Sequence, residues 1–382
     1  MPSIRFEPPT HPADGVHRVV YRHDRQFNNQ PFLGGLWRVA SGELVLAFMS
    51  ADCAYDTLGN VSHNVVMLGR RFMRTVRSAD NGNSWDTAEM GTVYETPEPE
   101  GFDDGPSKPE PPLPATHNPD ILVALGASPT LLVPEATTWV RISTDGGLSW
   151  RRPFRLPMSK FASLSGHGSF LRRSDGLWMV GLTATSHDAW IRRPLTYASL
   201  DGADWRFLSF VTPSSTDREV DAPPANIPRF SPHRYMYPRL IELKNGHILA
   251  SVRCQRDPTG AMWTEIYESQ DGGRTFGFLS RVNDWGAPGD LVEMQDGRIA
   301  CAYGYRVKPY GVRCRLSEDG GVTWGREMIL RDDGGSWDLG YPRVIEHETG
   351  RLLVIYAFNR ADDPIQLDGG VRHIASTEFT PL

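Results

Sequence analysis

Histidine and tyrosine occupy matched positions in several segments of this chain. Six segments share a glycine turn, and four of the six residues that stand nine positions before that glycine are His or Tyr: Leu33, His117, His167, Tyr237, Pro288 and Tyr341. Histidine exchanges protons near neutral pH, and tyrosine can transfer a proton or act as a nucleophile. We therefore expect the two histidines and two tyrosines to be catalytic groups if the fold gathers them.

Basic residues lie close to the same segments. Arg253 follows Gly246 by seven residues, and Arg306 and Lys308 follow the next glycine turn in "GYRVKPYGVRC". Guanidinium and ammonium groups neutralise carboxylates, and guanidinium does so through paired hydrogen bonds. These three residues are predicted to bind an acidic substrate.

Four aspartates are candidates for acid/base chemistry. Asp52 and Asp56 follow the strand "LVLAF", Asp290 lies in "PGDLVEM", and Asp338 lies in "SWDLGYP". Glycoside hydrolysis needs an acid together with a base or nucleophile, and the sequence identifies no matching partner for any of the four. We take Asp56 as a candidate acid/base and Asp338 as a candidate substrate-binding group, and we expect capping or solvated roles for most of them.

A repeated turn indicates how these residues are positioned. Close copies of a Ser-x-Asp-x-Gly turn followed by an aromatic residue begin at Ser78, Ser143, Ser199, Ser269 and Ser317. The aspartate can accept hydrogen bonds from nearby backbone N–H groups, glycine supplies positive φ, and the aromatic ring can anchor the turn to the core. We call these the Asp turns and predict that they stabilise hairpins rather than react.

A second repeat, an apolar strand, a glycine turn and another apolar strand, precedes the Asp turns. Six such units occur, as in "YPRLIELKNGHILASVR" from Tyr237 and "YPRVIEHETGRLLVIY" from Tyr341. Four-stranded units repeated in this way are typical of a β-propeller. We predict one all-β domain over residues 1–382, a six-bladed β-propeller, in which Val16–His23 supplies the missing outer strand of the last blade.

Propeller geometry predicts the face that carries the site. The glycine turns and Asp turns join strands on one face, so the loops that enter the first strand lie on the opposite face. The six matched positions should therefore surround the mouth of the central channel on that opposite face. The long segments Glu95–Thr116 and Phe210–Met236 enter blades two and four there, and we expect them to form a lid or pocket wall.

Through its five Asp turns and six strand units, nearly the whole chain resembles the Asp-box, or bacterial-neuraminidase-repeat, proteins of the sialidase superfamily, which are six-bladed propellers. The resemblance implies a glycosidase with a nucleophilic tyrosine, a glutamate that assists it, three clamp arginines and an aspartate acid/base. It places Tyr341 as the nucleophile, Arg253 and Arg306 as the second and third clamp arginines, and Asp52 or Asp56 as the acid/base.

Two departures from that pattern change the expected chemistry. The Arg-Ile-Pro motif of the first blade is absent, because "QPFLGGLWR" has Phe32 and Leu33 where its arginine would stand. Tyr237 holds the position of the assisting glutamate. Since a phenol has a pKa near 10, Tyr341 needs a neighbouring base to act as a nucleophile at neutral pH.

Three functions remain open on the sequence. The first is cleavage of a terminal glycosidic bond in an acidic oligosaccharide. The second is β-elimination at a uronic acid, such as a rhamnosyl-glucuronate linkage, with Arg253, Arg306 or Lys308 neutralising the carboxylate and His or Tyr moving protons. The third is a noncatalytic glycan-binding propeller, whose mouth would carry exposed aromatic residues without convergent ionisable groups.

Composition excludes other classes of partner. A formal charge of −6 without a basic run argues against nucleic acid, and no signal peptide or membrane-spanning run appears, so a cytoplasmic location is expected. The four cysteines (Cys53, Cys254, Cys301 and Cys314) are expected to be reduced, although Cys301 and Cys314 could face each other across a hairpin. No metal or cofactor motif is present, and the oligomeric state stays open.

Overall fold

Six antiparallel sheets follow one another along the chain, which confirms the predicted six-bladed β-propeller. The structure is a computed structural model that describes residues 7–61, 69–96, 117–185, 192–213, 234–255 and 261–382. Each complete blade runs from an inner first strand to an outer fourth strand, and the inner strands of blades 3 to 6 contact their neighbours in order. No helix in these ranges is both long and apolar enough to cross a membrane.

The first half of the chain begins with β1 and forms blades 1 to 3. The N-terminal strand is β1 (Val16–Tyr21). Blade 1 contains β2 (Gln26–Asn29), α1 (Pro31–Gly34), β3 (Gly35–Arg38), β4 (Leu44–Asp52), α2 (Leu58–Val61), β5 (Arg71–Ser78) and β6 (Asp86–Thr96). Blade 2 contains β7 (Leu122–Ser128), β8 (Thr137–Ser143) and β9 (Phe154–Arg155). Blade 3 contains β10 (Leu164–Arg172), β11 (Trp178–Thr185), β12 (Arg192–Ser199) and β13 (Arg206–Phe210).

The second half forms blades 4 to 6. Blade 4 contains β14 (Arg234–Glu242), β15 (Ile248–Gln255), β16 (Met262–Ser269) and β17 (Gly277–Arg281). Blade 5 contains β18 (Gly286–Glu293), β19 (Ile299–Tyr305), β20 (Gly311–Ser317) and β21 (Met328–Arg331). Blade 6 contains β22 (Gly340–Glu348), β23 (Arg351–Phe358), a 3-10 turn (Leu367–Gly369) and β24 (His373–Phe379).

The N-terminal strand closes the ring, as predicted. Strand β1 pairs antiparallel with β24 and completes the four-stranded sheet of blade 6. Side chains reinforce this pairing, since Arg18 Nη1 lies 3.0 Å from Glu378 Oε2 and His17 Nδ1 lies 2.9 Å from Thr377 Oγ1. This pairing gives blade 6 its fourth strand and covers the edge of β24, which would otherwise be unpaired.

The Asp turns are held by side-chain hydrogen bonds. In the turn of blade 4, Asp271 accepts hydrogen bonds from the Thr275 backbone N–H at 2.9 Å and the Thr275 hydroxyl at 2.6 Å, while Gly273 N–H donates to Ser269 Oγ at 2.8 Å. The hydrogen bond from the Thr275 hydroxyl is the largest cause that lowers the Asp271 pKa, to about 2. These bonds hold the carboxylate inside its own turn.

Blade 2 differs from the prediction in register. Strand β8 ends at Ser143, where the Asp turn begins, so β8 is the third strand of its blade and β7 the second. Gly126 is therefore not a turn glycine but lies within β7, where a Cβ would come within 2.6 Å of the Trp139 ring. The apolar run around Gly126 resembles a strand, a turn and a second strand, and this resemblance shifted the predicted unit by one strand.

The core lies between neighbouring sheets. In the largest of the inter-blade layers, Val354 and Tyr356 of blade 6 pack with Val312 and Cys314 of blade 5. All four cysteines are free and buried, as expected. Cys314 faces Ala302 rather than Cys301, so the two hairpin cysteines are offset by one residue.

Acid pH is expected to destabilise the fold through His373 of β24. The ring is 1% exposed with Nδ1 3.0 Å from the Val371 carbonyl oxygen, and burial lowers its pKa to about 4, with Arg22 and Arg331 also disfavouring the charge and Asp363 opposing them. The unfolded chain protonates this residue near its ordinary value, so stability present above pH 6.5 is lost as pH falls towards 4. The loss is roughly 2 to 3 kcal/mol.

The measurement compares urea unfolding of the wild type and a His373→Gln variant between pH 7 and pH 4. Glutamine can still donate a hydrogen bond to the Val371 carbonyl, but it does not titrate. The stability difference between the two proteins should therefore shift in favour of the variant as the pH falls. A difference that stays constant across this range would contradict the assignment.

Candidate functional site

The inner strands of blades 3 to 6 share a β-bulge at one place. The register shifts between Gly166 and Ser169 in β10, and the same irregularity recurs in β14, β18 and β22. The residues inside the four bulges include four of the six matched positions: His167, Tyr237, Pro288 and Tyr341. A bulge bends its strand and re-aims a side chain. The same backbone irregularity therefore orients the side chains at these four positions.

Two bulge residues have an unusual backbone conformation. Tyr237 has φ 59° and Tyr341 has φ 51°, and each precedes a proline. Positive φ is uncommon for a bulky residue, and such strain persists only where the surrounding structure enforces it, often at functional sites. The local sequence Tyr-Pro-Arg is therefore held in a conformation that it would not adopt alone.

Helix α1 contacts strands of blades 1, 2, 3 and 6, and its apolar residues share a buried cluster with the two tyrosines. Phe32 lies 6.0 Å from the Tyr237 ring, centroid to centroid, and Leu33 belongs to the same buried cluster as Tyr237 and Tyr341. Gly168 has φ 67°, and a Cβ there would lie 2.1 Å from the Leu33 carbonyl oxygen. Phe32 and Leu33, which stand where the arginine of the Arg-Ile-Pro motif would be, thus pack in one buried cluster with the two tyrosines.

An ion triad connects the inner strands of blades 4, 5 and 6. Asp290 lies 2.9 Å from Arg239 Nε and 3.2 Å from Arg343 Nε, and it accepts the backbone N–H of Val344 at 2.9 Å. Arg239 also donates to the carbonyl of Gly168, next to His167. Burial lowers the Arg343 pKa to about 10. Asp290 was one of the four acid/base candidates, and both of its oxygens are engaged inside the propeller.

Tyr341, Asp338 and Arg306 form the first group at the mouth. The Tyr341 hydroxyl donates to Asp338 Oδ1 at 3.4 Å, and Arg306 Nη1 lies 3.6 Å from the same oxygen. The Arg306 guanidinium carbon also stands 4.6 Å from the Tyr341 ring centroid. Asp338 and Tyr341 are each 3% exposed. A carboxylate therefore stands beside the phenol.

Tyr237, His167 and two arginines form the second group. The rings of His167 and Tyr237 meet edge to face at 4.6 Å, and the Arg253 guanidinium carbon lies 5.4 Å from the Tyr237 ring centroid. Burial, followed by the charge of Arg192, lowers the His167 pKa well below its ordinary value, so the ring is neutral at pH 7. Burial is also the main cause that raises the Tyr237 pKa.

His167 is the least satisfied of these groups. It is completely buried, and neither ring nitrogen has a hydrogen-bond partner among residues 7–61, 69–96, 117–185, 192–213, 234–255 and 261–382. A buried polar group without a hydrogen-bond partner costs stability. A neutral imidazole offers one nitrogen that can donate a hydrogen bond to a ligand and one that can accept a hydrogen bond.

Arg192 belongs to the second group although it was not among the predicted site residues. This residue begins β12, its Nη1 lies 3.5 Å from Met236 Sδ, and burial lowers its pKa to about 10, while Arg253 adds to the lowering. The sequence signal for Arg192 is its place at the start of the third strand of blade 3, because third strands begin on the same face as the bulges.

Four predicted residues lie away from these two groups. His117 lies on the Asp-turn face, with Nε2 3.1 Å from the Ser174 carbonyl oxygen, so the prediction that it lines the mouth is wrong. The register error in blade 2 is the cause. Asp56 is exposed, accepts hydrogen bonds from Thr57 and Asn60, and has a lowered pKa chiefly because of the Asn60 bond.

Lys308 and Asp52 are both exposed, and no polar contact of either residue with the two groups at the mouth occurs within the described part of the chain. Lys308 stands in the loop that follows Arg306. The predicted lid segments Glu95–Thr116 and Phe210–Met236 lie largely outside the described residues. No cluster of three His, Cys, Asp or Glu side chains suitable for a metal ion occurs within the described ranges.

Comparisons place these observations among known proteins. The family described as a BNR repeat-like domain matches residues 110–354. A search of curated proteins found no match. A solved Dyadobacter fermentans protein of unknown function is 23% identical with a TM-score of 0.72, and the match covers 98% of this chain and 100% of that one.

Two glycosidases are more distant in sequence but similar in fold. The Hadza microbial sialidase Hz136 is 16% identical with a TM-score of 0.63, over 96% of this chain and 68% of the sialidase. A Penicillium chrysogenum alpha-L-arabinanase complexed with arabinobiose is 13% identical with a TM-score of 0.58, over 97% of this chain and 96% of the arabinanase. At these identities the similarity concerns the fold.

Proposed function

The chain belongs to the BNR repeat-like domain family, and from that premise we propose that it is a glycosidase that cleaves a terminal bond in an acidic oligosaccharide. The observation that carries the proposal is the pair formed by Tyr341 and Asp338, with 3.4 Å between the phenol and carboxylate oxygens. The printed names of fold relatives, a sialidase and an arabinanase, are names of glycosidases and support the reaction class.

Each member of the pair has a defined role in this proposal. Asp338 accepts the proton of Tyr341 as the phenol oxygen attacks the anomeric carbon, and the bond to the leaving sugar breaks while the leaving oxygen takes a proton from water. Water then cleaves the bond between the sugar and Tyr341, and the phenol oxygen recovers its proton from Asp338. Arg306 stands against the face of the phenol ring and stabilises the negative charge that develops on its oxygen. A separation of 3.4 Å is long for an O–H···O bond, and catalytic hydrogen bonds often shorten when substrate binds.

The acidic substrate is proposed from the arginines. Arg253 and Arg306 are 7% and 9% exposed. Arg192 is partly buried, and Arg253 is close enough to contribute to the lowering of the Arg192 pKa. Several guanidinium groups held together away from water repel one another unless an anion joins them. A substrate carboxylate bound between these arginines would act as their shared counter-ion.

His167 favours a second candidate, β-elimination at a uronic acid. In that reaction a base removes the proton from the carbon next to the carboxylate, and the leaving oxygen departs from the adjacent carbon. Within the described ranges neither nitrogen of the neutral His167 ring has a hydrogen-bond partner, and His167 packs on the Tyr237 ring, over which Arg253 also lies. These residues would supply the base and the carboxylate-binding group of an elimination. The glycosidase remains the primary proposal because Tyr341 has its carboxylate partner in place.

One assay separates the two reactions. The protein is incubated with sialyllactose and with glucuronate-containing trisaccharides while absorbance near 235 nm and free reducing sugar are recorded. We expect reducing sugar without absorbance at 235 nm. Absorbance at 235 nm would establish elimination, and binding without either product would identify a glycan-binding propeller and overturn both enzymatic proposals.

A further inference from the structure

Two tryptophans are exposed on the face of the propeller that carries the mouth. Trp285 is 48% exposed in the connection between β17 and β18, and Trp337 is 47% exposed in the connection between β21 and β22. Among the tryptophans of the described ranges, these two are the ones that remain exposed. Two indole rings that are half exposed offer apolar surface on which a ligand can pack.

Arg306 links both tryptophans to the proposed active site. Its backbone N–H donates to the Trp285 carbonyl at 3.2 Å, and its Nη1 donates to the Trp337 carbonyl at 3.1 Å. Its Nε is bound to the Ala287 carbonyl at 2.8 Å, two residues beyond Trp285. One buried side chain thus connects the two loops that carry the exposed rings.

Trp337 is also next to the reacting pair along the chain. Asp338 follows it directly, and the Arg306 guanidinium carbon lies 5.5 Å from the Trp337 ring centroid, compared with 4.6 Å from the Tyr341 ring centroid. The exposed Trp337 ring therefore lies directly beside the buried group formed by Tyr341, Asp338 and Arg306. A ligand that reaches Tyr341 and extends outwards over blades 5 and 6 meets this ring next.

The loop that holds Trp337 is itself anchored. The neighbouring Ser336 hydroxyl accepts hydrogen bonds from Asn359 at 2.9 Å and from the fully buried Arg372 at 2.8 Å. Gly335 N–H donates to the Asn359 carbonyl at 3.0 Å. The indole is consequently exposed on a fixed support, which limits the entropy lost when a ligand packs against it.

We propose that Trp337 and Trp285 form a platform that binds the neutral sugar rings on the leaving-group side of the cleaved bond, which makes the substrate an oligosaccharide rather than a simple glycoside. This inference rests on the proposed function for its definition of the leaving-group side. The C–H face of a neutral sugar packs on an aromatic ring, whereas an acidic terminal residue is held by the buried arginines. In this proposal the neutral sugar rings of the ligand contact the two tryptophans, and its acidic terminal residue contacts the buried arginines.

The test measures binding separately from turnover. In a Tyr341→Phe background, calorimetric titration with sialyllactose, arabinotriose and a glucuronate trisaccharide gives the affinity without cleavage. We expect Trp337→Ala to weaken binding of the recognised trisaccharide about tenfold, Trp285→Ala to weaken it less, and Trp337→Phe to retain most of it. Both tryptophans are exposed, so truncation leaves no internal cavity.

The matched control is Phe278→Ala, which removes a 56% exposed aromatic ring from the outer strand β17 and should leave affinity unchanged. In the protein with Tyr341 intact, the tryptophan variants should raise KM for the trisaccharide about tenfold and for the corresponding methyl glycoside far less. Tryptophan variants that bind like their parent, or a parent that binds none of the three sugars, would overturn the platform. Weakened binding together with absent turnover in the wild type would retain the platform and reject the glycosidase.

Discussion

Replacing Tyr341 by phenylalanine is expected to reduce kcat by about 1,000-fold or more, because the variant lacks the oxygen that we assign as the nucleophile. The change removes one atom from a ring that is 3% exposed and packed against Phe32, Leu33 and Tyr237, so the cluster keeps its shape. The measurement is steady-state turnover of whichever acidic trisaccharide the wild type cleaves, with thermal unfolding as the check on folding.

Two further variants show whether the effect belongs to the pair. Asp338→Asn should cause a loss of similar size, because the amide cannot take the phenol proton, although its size and its contacts to Arg306 stay close to those of the carboxylate. Tyr237→Phe serves as the matched tyrosine variant in the equivalent bulge, and a much smaller loss is expected. Tyr341→Phe with turnover within tenfold of the wild type would remove Tyr341 from the mechanism.

The fold could be predicted because its signals are local and repeated. Each Asp turn contains its own hydrogen-bond partners, as Ser269, Asp271 and Thr275 show, so a short stretch of sequence specifies the turn without help from the rest of the chain. The five Asp turns and the six strand units then determine the architecture. The bulge positions follow as well, since counting from a turn glycine reaches the same place in β10, β14, β18 and β22.

The site was less predictable because its contacts join different blades. Nothing in the order of residues indicates that Arg306 binds the carbonyls of both Trp285 and Trp337, or that Arg192 lies near Arg253. The spacing of Asp338 and Tyr341 was visible, but their contact depends on how the loop before β22 turns. Blade 2 failed for a local reason, because the glycine in β7 makes room for Trp139 and imitates a turn.

Replacing Asp290 by asparagine is expected to lower the free energy of unfolding by about 3 to 5 kcal/mol, because it leaves Arg239 and Arg343 buried without a countercharge. The aspartate is 2% exposed, and its two oxygens serve both guanidinium groups and the Val344 backbone N–H. An amide keeps one acceptor oxygen and places N–H donors towards one of the cations. Urea unfolding at pH 7 measures the loss.

The effect should extend to the mouth and depend on charge rather than on volume. Arg239 donates to the Gly168 carbonyl in the bulge that holds His167, so loss of Asp290 should also loosen that bulge. A triple variant with Arg239→Met, Asp290→Leu and Arg343→Met removes all three charges, and it should recover most of the stability that Asp290→Asn loses, since apolar replacement of a buried ion group is often neutral. If Asp290→Asn unfolds within about 1 kcal/mol of the wild type, the triad contributes no more than an exposed ion pair, and the three inner strands are held by their apolar contacts alone.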